Sequence, residues 1–230
     1  MTTTKKELTF EKITNEFEEF SNLVLKQLDL LSNIFQTEEK EKLYETLNDN
    51  EKKIDKFENT LDKNIINAIV LYQPMASDLR RLFAIFRMVN NLERIGDLII
   101  KISRYISKLS NCKLYKDSVS VLLNMLELTK EMVSKSLLSF FNSDPGYALW
   151  TIKNDDVIDE LNHKLLKKAI HSVDNKLSKE TLILTLVNLK SIISSLERIG
   201  DHSTNIAEAS IYAIVGDNIR HRDINKIDNI

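Results

Sequence analysis

Acidic side chains recur four residues apart at four places in the chain, and such pairs are able to bind a metal ion. Two of the pairs lie in identical stretches, Leu-Glu-Arg-Ile-Gly-Asp, at residues 92–97 and 196–201, which are 104 residues apart. Residues four apart lie on the same side of a helix, one turn from each other. The candidate metal-binding residues are Glu51, Asp55, Glu93, Asp97, Asp155, Asp159, Glu197 and Asp201.

Glu93 and Glu197 occupy positions where the helical pattern predicts a buried apolar residue. Along the third predicted helix, apolar residues recur every three or four positions from Leu82 to Val89, and the next such position is Glu93. A carboxylate in a core costs several kcal/mol unless it is paired or bound to metal. In both copies a glycine follows three residues after the glutamate, and glycine inside a helix destabilises it by about 1 kcal/mol relative to alanine. Because both copies keep these unfavourable residues, the pattern indicates a functional site. Its carboxylate oxygens are ligands that suit Mg, Mn, Ca or iron.

Two alternatives to a metal site are consistent with the acidic pairs. A pair of acids on a helix is usually a solvated surface feature, and Asp97 has Lys101 one turn away as an ion-pair partner. Alternatively, the guanidinium groups of Arg94 and Arg198 neutralise the acids in place of a metal. The spacing also leaves open whether the two acidic pairs of one half face each other.

The elements that must position these residues are six helices in two repeats. The shift of 104 residues carries the apolar pattern of the first half onto the second, and no segment alternates with the period of a strand. The first predicted helix carries an apolar stripe that starts at Phe10, and it ends near Gln36. The second runs from an N-cap at Thr37 to about Tyr72, and the third from about Met75 to about Leu109. The fourth is marked by an apolar stripe from Val119 to Phe140 and is ended by residues 142–146; the fifth runs from Pro145, after an N-cap at Asp144, to about Val173, and the sixth from about Ser178 to about Ile214.

This pattern predicts an all-α fold of two tandem antiparallel three-helix bundles related by internal pseudo-symmetry. The first bundle is expected to span residues 1–110 and the second residues 111–216, followed by a C-terminal tail at 217–230. The polar residues around Cys112 would connect the two bundles.

Composition narrows the class of protein. The 230 residues include only four Gly and two Pro, and the net charge is −2, so the chain carries no excess of positive charge of the kind that binds nucleic acid. The single Cys112 rules out an intramolecular disulfide and fits a reducing cytoplasm. The sequence has no apolar segment of the length that crosses a bilayer and no signal-peptide core at its start, so a soluble cytoplasmic protein is expected.

Longer stretches of the sequence resemble one family closely. The resemblance is carried by the two Leu-Glu-Arg-Ile-Gly-Asp copies, by Gln-Pro-Met-Ala-Ser-Asp-Leu-Arg-Arg at 73–81, and by Asp-His-Ser-Thr-Asn-Ile-Ala-Glu at 201–208. On these residues the chain is similar to the PhoU family, regulators associated with bacterial high-affinity phosphate transport. The resemblance implies two three-helix bundles, and it places the family's metal motif, an acid followed four residues later by Asp, on all four acidic pairs.

The resemblance implies a regulator and not an enzyme. PhoU-like proteins restrain phosphate uptake and phosphate-starvation signalling by contacting the transporter's ATPase subunit and a sensor histidine kinase. Some members hold clustered metal ions, so iron, manganese, zinc or magnesium is the expected cofactor. A homo-oligomer, with a dimer favoured, is the expected assembly.

The sequence departs from the family pattern at two places. Residues 98–100 are Leu-Ile-Ile, where the second copy has His-Ser-Thr at 202–204, so the second copy is the stronger candidate for a metal site. Ser194 and Ser195 stand where many members carry an arginine. His202, beside Asp201, could add a nitrogen ligand or form only a hydrogen bond.

Two functions from other classes compete with regulation. The first is a metal-binding helical scaffold or storage protein without a phosphate role. The second is a carboxylate-bridged metalloenzyme, which is disfavoured because three residues after Glu93 and Glu197 come glycines, where di-iron oxidases of the ferritin-like kind carry histidine.

Overall fold

A computed structural model describes residues 4–37, 39–109, 113–155, 157 and 178–216. These residues form helices joined by short connections. The helices are α1 (Lys5–Gln36), α2 (Glu41–Tyr72), α3 (Ala76–Ser107), α4 (Lys113–Asn142), α5 (Pro145–Lys153) and α6 (Lys179–Val215). The all-α class predicted from the apolar pattern is confirmed.

The helix ends follow from short polar residues at the predicted places. The Asp144 side chain accepts a hydrogen bond from the Gly146 amide, with Pro145 as the first helical residue of α5. The Ser178 hydroxyl accepts from the Thr181 amide and begins α6. Gly216 ends α6 in the left-handed region, with a φ of 82°, a conformation that glycine adopts without strain.

Two predicted helix boundaries are wrong. Thr37 ends α1 as its C-cap, and α2 begins only at Glu41, after an N-cap residue, Lys40, that makes no side-chain cap. The sequence pattern predicts a fifth helix that continues to Val173, but α5 ends at Lys153. Asn154 forms a turn there, and its side-chain amide donates to the Trp150 carbonyl, a local bond that competes with continuation of the helix. Residues 155 and 157 are again helical, and the rest of that predicted helix, 156 and 158–173, lies outside the described residues.

Each half packs three of these helices together. In the first half, α1 and α2 run antiparallel, since the hydroxyl of Thr9 near the start of α1 lies 3.2 Å from the hydroxyl of Tyr72 at the end of α2. Helix α3 packs against both, and in the second half α4, α5 and α6 are in mutual contact. This arrangement agrees with two tandem bundles, whereas the predicted limits of the domains stay a prediction and the tail at 217–230 is outside the described residues.

The two halves pack against each other mainly through α3 and α6. Arg80, near the start of α3, lies beside Gly216 at the end of α6, and Asn91 in the middle of α3 bonds to His202 in α6. The two helices that carry the duplicated motif therefore run antiparallel. A second contact, between α1 and α4, includes the ion pair of Asp29 with Lys130.

One apolar core serves both halves. Buried side chains of α1, α2, α3, α4 and α6 form a continuous cluster, in which Phe17 of α1 packs edge-on against Phe140 of α4. Burial of apolar surface at about 25 cal/mol per Å² is the main force that holds such a helical assembly together. Within the part of the chain that the structure describes, no helix is long and apolar enough to span a membrane.

Candidate metal centre

The first acidic cluster lies between α2 and α3, where a glycine lets the helices approach. Gly96 is buried, and a Cβ placed on it would lie 3.1 Å from the Oε2 atom of Glu51 and 3.3 Å from two methyl carbons of Ile54. The missing side chain at Gly96 therefore provides the space that the Glu51 carboxyl group occupies. This contact shows that the pair at 51/55 does face the pair at 93/97, which spacing alone leaves open.

Glu51 is held in an environment that disfavours its charge. Its Oε2 atom is buried and has no hydrogen-bond partner among the residues that the structure describes. Burial raises the pKa of Glu51 to about 7, and repulsion from Asp97, Asp55 and Glu93 adds to the effect, while the Gln27 amide opposes it. Glu51 thus interacts with the other three predicted acids of the first half, and it is the acid of this cluster whose charged form is most disfavoured.

Glu93 and Asp97 both form an ion pair with Arg94. The Arg94 guanidinium lies 3.3 Å from a carboxylate oxygen of Glu93 and 3.3 Å from one of Asp97. Burial, followed by repulsion from Asp97, raises the pKa of Glu93, and Arg94 counteracts part of this shift. The alternative in which arginine neutralises the acids therefore describes these two residues, and Asp97 pairs with Arg94 and not with Lys101.

The donor chemistry of this cluster fits a hard or borderline cation. The orphaned Oε2 of Glu51 would gain a partner, and carboxylates from two helices offer the oxygen ligands that such ions bind. Within the described ranges, however, no three acidic, histidine or cysteine side chains are close enough together to hold one ion. A bound ion would therefore require the side chains of Glu93 and Asp97 to turn away from Arg94 and toward Glu51.

The second cluster is only partly within the described residues. Glu197 and Asp155 are half-buried and Asp201 is exposed, whereas Asp159 lies outside the described part of the chain. Both glutamates of the repeated motif, Glu93 and Glu197, are thus half-buried. Arg198 differs from Arg94, since among the described residues it has no carboxylate within ion-pair distance.

His202 connects the two halves. Its Nδ1 atom lies 2.9 Å from the side-chain oxygen of Asn91, so the ring donates to that oxygen across the α3–α6 contact. Burial lowers the pKa of His202, with Arg198 and Arg94 adding to the effect and Asp201 opposing it. The neutral imidazole is therefore favoured, and of the two roles expected for His202 the structure shows the hydrogen bond.

Sequence reasoning missed two residues of the first cluster. Glu58 is half-buried, and its pKa is raised by burial and by repulsion from Asp62 and Asp55. Its place on the acidic side of α2 was visible, because Glu51, Asp55, Glu58 and Asp62 recur every three or four residues. Gln27 is fully buried and donates to the Leu47 carbonyl beside Glu51. A polar residue beside the apolar stripe of α1 is the corresponding signal, which the buried Ser21 and Ser32 of the same helix share.

Comparison with known proteins gives one consistent result. The PhoU domain family matches the chain twice, at residues 17–106 and 122–210. A relative from Burkholderia sp. is 33% identical over 175 residues, which cover 75% of this chain and 73% of the relative. A relative from Methanothermobacter thermautotrophicus is 29% identical over 202 residues, covering 88% of this chain and 90% of the relative. Both are named phosphate-specific transport system accessory protein PhoU homologs.

Solved structures agree with this result. The crystal structure of PhoU from Pseudomonas aeruginosa superposes with a TM-score of 0.80 at 27% identity, over 91% of this chain and 99% of that one. The PhoU structure from Streptococcus pneumoniae also reaches 0.80, at 22% identity, and supports the fold. The family matches fall one on each half of the chain and include both copies of the acidic motif. The chain therefore belongs to the PhoU family.

Proposed function

We propose that the chain is a cytoplasmic regulator of phosphate homeostasis, which restrains high-affinity phosphate uptake and phosphate-starvation signalling when phosphate is plentiful. It acts through protein contacts, with the ATPase subunit of the phosphate transporter and a sensor histidine kinase as partners and a homodimer as the expected assembly. The single observation that carries this proposal is the double PhoU match over both bundles. The relatives' names, which describe an accessory role in phosphate-specific transport, support it.

The acidic clusters supply the regulator with a metal-dependent surface. The proposed ligands are Glu51, Asp55, Glu93 and Asp97 in the first half and Asp155, Asp159, Glu197 and Asp201 in the second. The unpartnered Oε2 of Glu51 and the repulsion among its neighbours favour a bound cation in the first cluster. Iron, manganese, zinc and magnesium are the candidate ions. Their role is to fix how α2 lies against α3, since each ion would join carboxylates of both helices.

The test is complementation of a deletion strain of the organism that produces the protein. The restored forms are the wild type, the double variant Glu93→Gln with Asp97→Asn, and a matched control, Glu18→Gln with Glu19→Gln, which removes two exposed charges from α1. Phosphate uptake and a phosphate-starvation reporter are measured in high phosphate. Deletion should raise both, and the wild type and the control should restore them. Unchanged uptake and reporter activity after deletion would overturn the proposal.

The two competing functions predict different outcomes. A metal-storage or scaffold protein would leave the phosphate response unchanged while metal content still depended on Glu93 and Asp97. A metalloenzyme would require an oxidase or hydrolase activity that appears on metal addition. Members of the family are named accessory proteins, which supports a regulatory role over catalysis.

A further inference from the structure

A groove with an excess of positive charge runs beside the first acidic cluster, where α3 crosses α6. It encloses about 420 Å³. Six charged side chains line it, four of them cationic and two acidic, together with Leu98 and Ile100. The charged residues are Arg94, Lys101, Arg104, Arg198, Glu51 and Asp97.

The cations come from two helices and converge on one space. Arg94, Lys101 and Arg104 follow one another at intervals of seven and three residues, which places them on one side of α3. Arg198 is the counterpart of Arg94 in the second repeat. Because α3 and α6 run antiparallel, Arg198 reaches the same groove from the opposite side.

Three of the four cations in the groove have no carboxylate within ion-pair distance among the described residues. Arg94 is engaged by Glu93 and Asp97. Within the described residues, Lys101, Arg104 and Arg198 have no ion pair, and Glu51 is the remaining acid of the lining. Like charges on one helix face repel each other. The partial negative charge at the C-terminal end of α3 stabilises the cation of Arg104, which lies in the last turn, but it does not stabilise Lys101 or Arg198.

We propose that this groove binds a phosphate group, either inorganic phosphate or the phosphate of a small phosphorylated molecule. Arginine presents a planar fork of donors that matches the oxygens of phosphate, and lysine adds a point charge. Two arginines and a lysine from two sides of a groove can contact several oxygens of one anion. The inference goes beyond the proposed function, because it assigns a ligand that the chain itself binds.

The test is calorimetric titration of the full chain with inorganic phosphate, with ATP and with sulfate, in chelator and again with Mg²⁺. The variant Lys101→Gln with Arg104→Gln should weaken phosphate-group binding about tenfold, as expected for losing charged hydrogen bonds. The matched control, Lys26→Gln with Lys63→Gln, removes the same charge from exposed positions on α1 and α2 and should bind as the wild type does. Arg104→Lys, which keeps the charge and loses the fork, should show an intermediate affinity.

The titrations with inorganic phosphate and with ATP distinguish the two possible sources of the phosphate group, the free anion and a small phosphorylated molecule. Saturable binding of inorganic phosphate assigns the groove to the free anion, whereas binding of ATP alone assigns it to a phosphorylated molecule. Absence of saturable binding by both, equal weakening in the groove variant and the control, or sulfate binding as tight as phosphate binding would overturn the proposal. Because this is measured on the purified chain, its failure is distinguishable from failure of the proposed regulation, which is measured in cells.

Discussion

The Oε2 atom of Glu51 lies 3.1 Å from the place that a Cβ would take on Gly96, so the glycine of the repeated motif is matched to an acid on the neighbouring helix. This relationship explains why a residue that weakens helices is found in the middle of α3. Because Gly96 has no side chain, the motif also allows the carboxyl group of Glu51 to enter the contact between α2 and α3. A change at either residue should therefore affect the other.

Replacing Gly96 with alanine should destabilise the protein although it improves the helix. Alanine gains about 1 kcal/mol in helix propensity. The added methyl group overpacks against Glu51 and the buried Ile54, at a cost of about 1–3 kcal/mol. We expect a net loss of about 1 kcal/mol in the free energy of unfolding, measured by urea titration. Asn90→Ala, at an exposed site of the same helix, is the control, and a stabilised Gly96→Ala would contradict the tight contact.

Stability should fall as the pH rises through the range in which Glu51 loses its proton. Its pKa is raised from 4.5 to about 7 on folding, so ionisation is harder in the folded state than in the unfolded chain. The penalty is absent below pH 4.5, grows between these two values and is complete above pH 7. A shift of this size corresponds to about 3 kcal/mol. Solvent screening of a partly exposed group reduces it to about 1–2 kcal/mol.

The measurement is the difference in unfolding free energy between Glu51→Gln and the wild type at pH 5 and at pH 8. The glutamine variant should gain stability relative to the wild type at the higher pH, in protein treated with chelator. Glu18→Gln, on the exposed side of α1, should show no such gain. The same difference at both pH values would mean that Glu51 titrates normally.

Removing Arg94 should strengthen metal binding at the first cluster. A cation that binds Glu93 and Asp97 must displace the guanidinium that now contacts both. An exposed ion pair contributes up to about 1 kcal/mol, so Arg94→Gln should tighten Mn²⁺ or Mg²⁺ binding by up to about fivefold in calorimetry. The variant Glu93→Gln with Asp97→Asn should abolish that binding. Weaker binding by Arg94→Gln would show that the arginine supports the site and does not compete for it.

The hydrogen bond between Asn91 and His202 should contribute to the attachment of one half to the other. Asn91→Ala should lower the free energy of unfolding by about 1 kcal/mol, the usual net value of such a bond. The lowered pKa of His202 means that its stabilising effect is present above the ordinary histidine pKa of 6.5 and is lost as the pH falls through the folded value.

Urea titrations at pH 8 and pH 5 measure this effect. The wild type should lose more stability between these two values than His202→Gln does, because glutamine cannot be protonated. His221→Gln is the matched substitution of the same type. If His202→Gln and the wild type lost stability equally, His202 would not be the titrating group.

Much of the fold was readable from the sequence because the apolar residues keep a helical period and the repeat keeps its register. The end of α2 at Tyr72 and the start of α5 at Pro145 follow from local turn chemistry, and both predictions are confirmed. Thr37 was misassigned because its residue type suits an N-cap, whereas its backbone amide donates to the Asn33 carbonyl and so closes α1. The break after Lys153 was missed because the helical pattern continues through it.

The candidate site was readable only in part. Glu93 stood out because it interrupts a core pattern, and that inference needed one helix alone. The shared use of Arg94 by Glu93 and Asp97, and the contact of Glu51 with Gly96, depend on rotamers and on how closely α2 approaches α3. The spacing of residues along the chain gives neither the distance from Arg94 to the two carboxylates nor the distance from Glu51 to Gly96.

The antiparallel contact of α3 with α6 is a contact between the two copies of one repeat. Two equivalent helices that pack against each other antiparallel resemble the two sides of a symmetric dimer interface, here formed inside a single polypeptide. A chain with one copy would expose the same apolar surface unless a second molecule covered it. Duplication and fusion convert that association into an intramolecular one, which no longer depends on protein concentration and which lets the two copies diverge, as Leu98 and His202 have done.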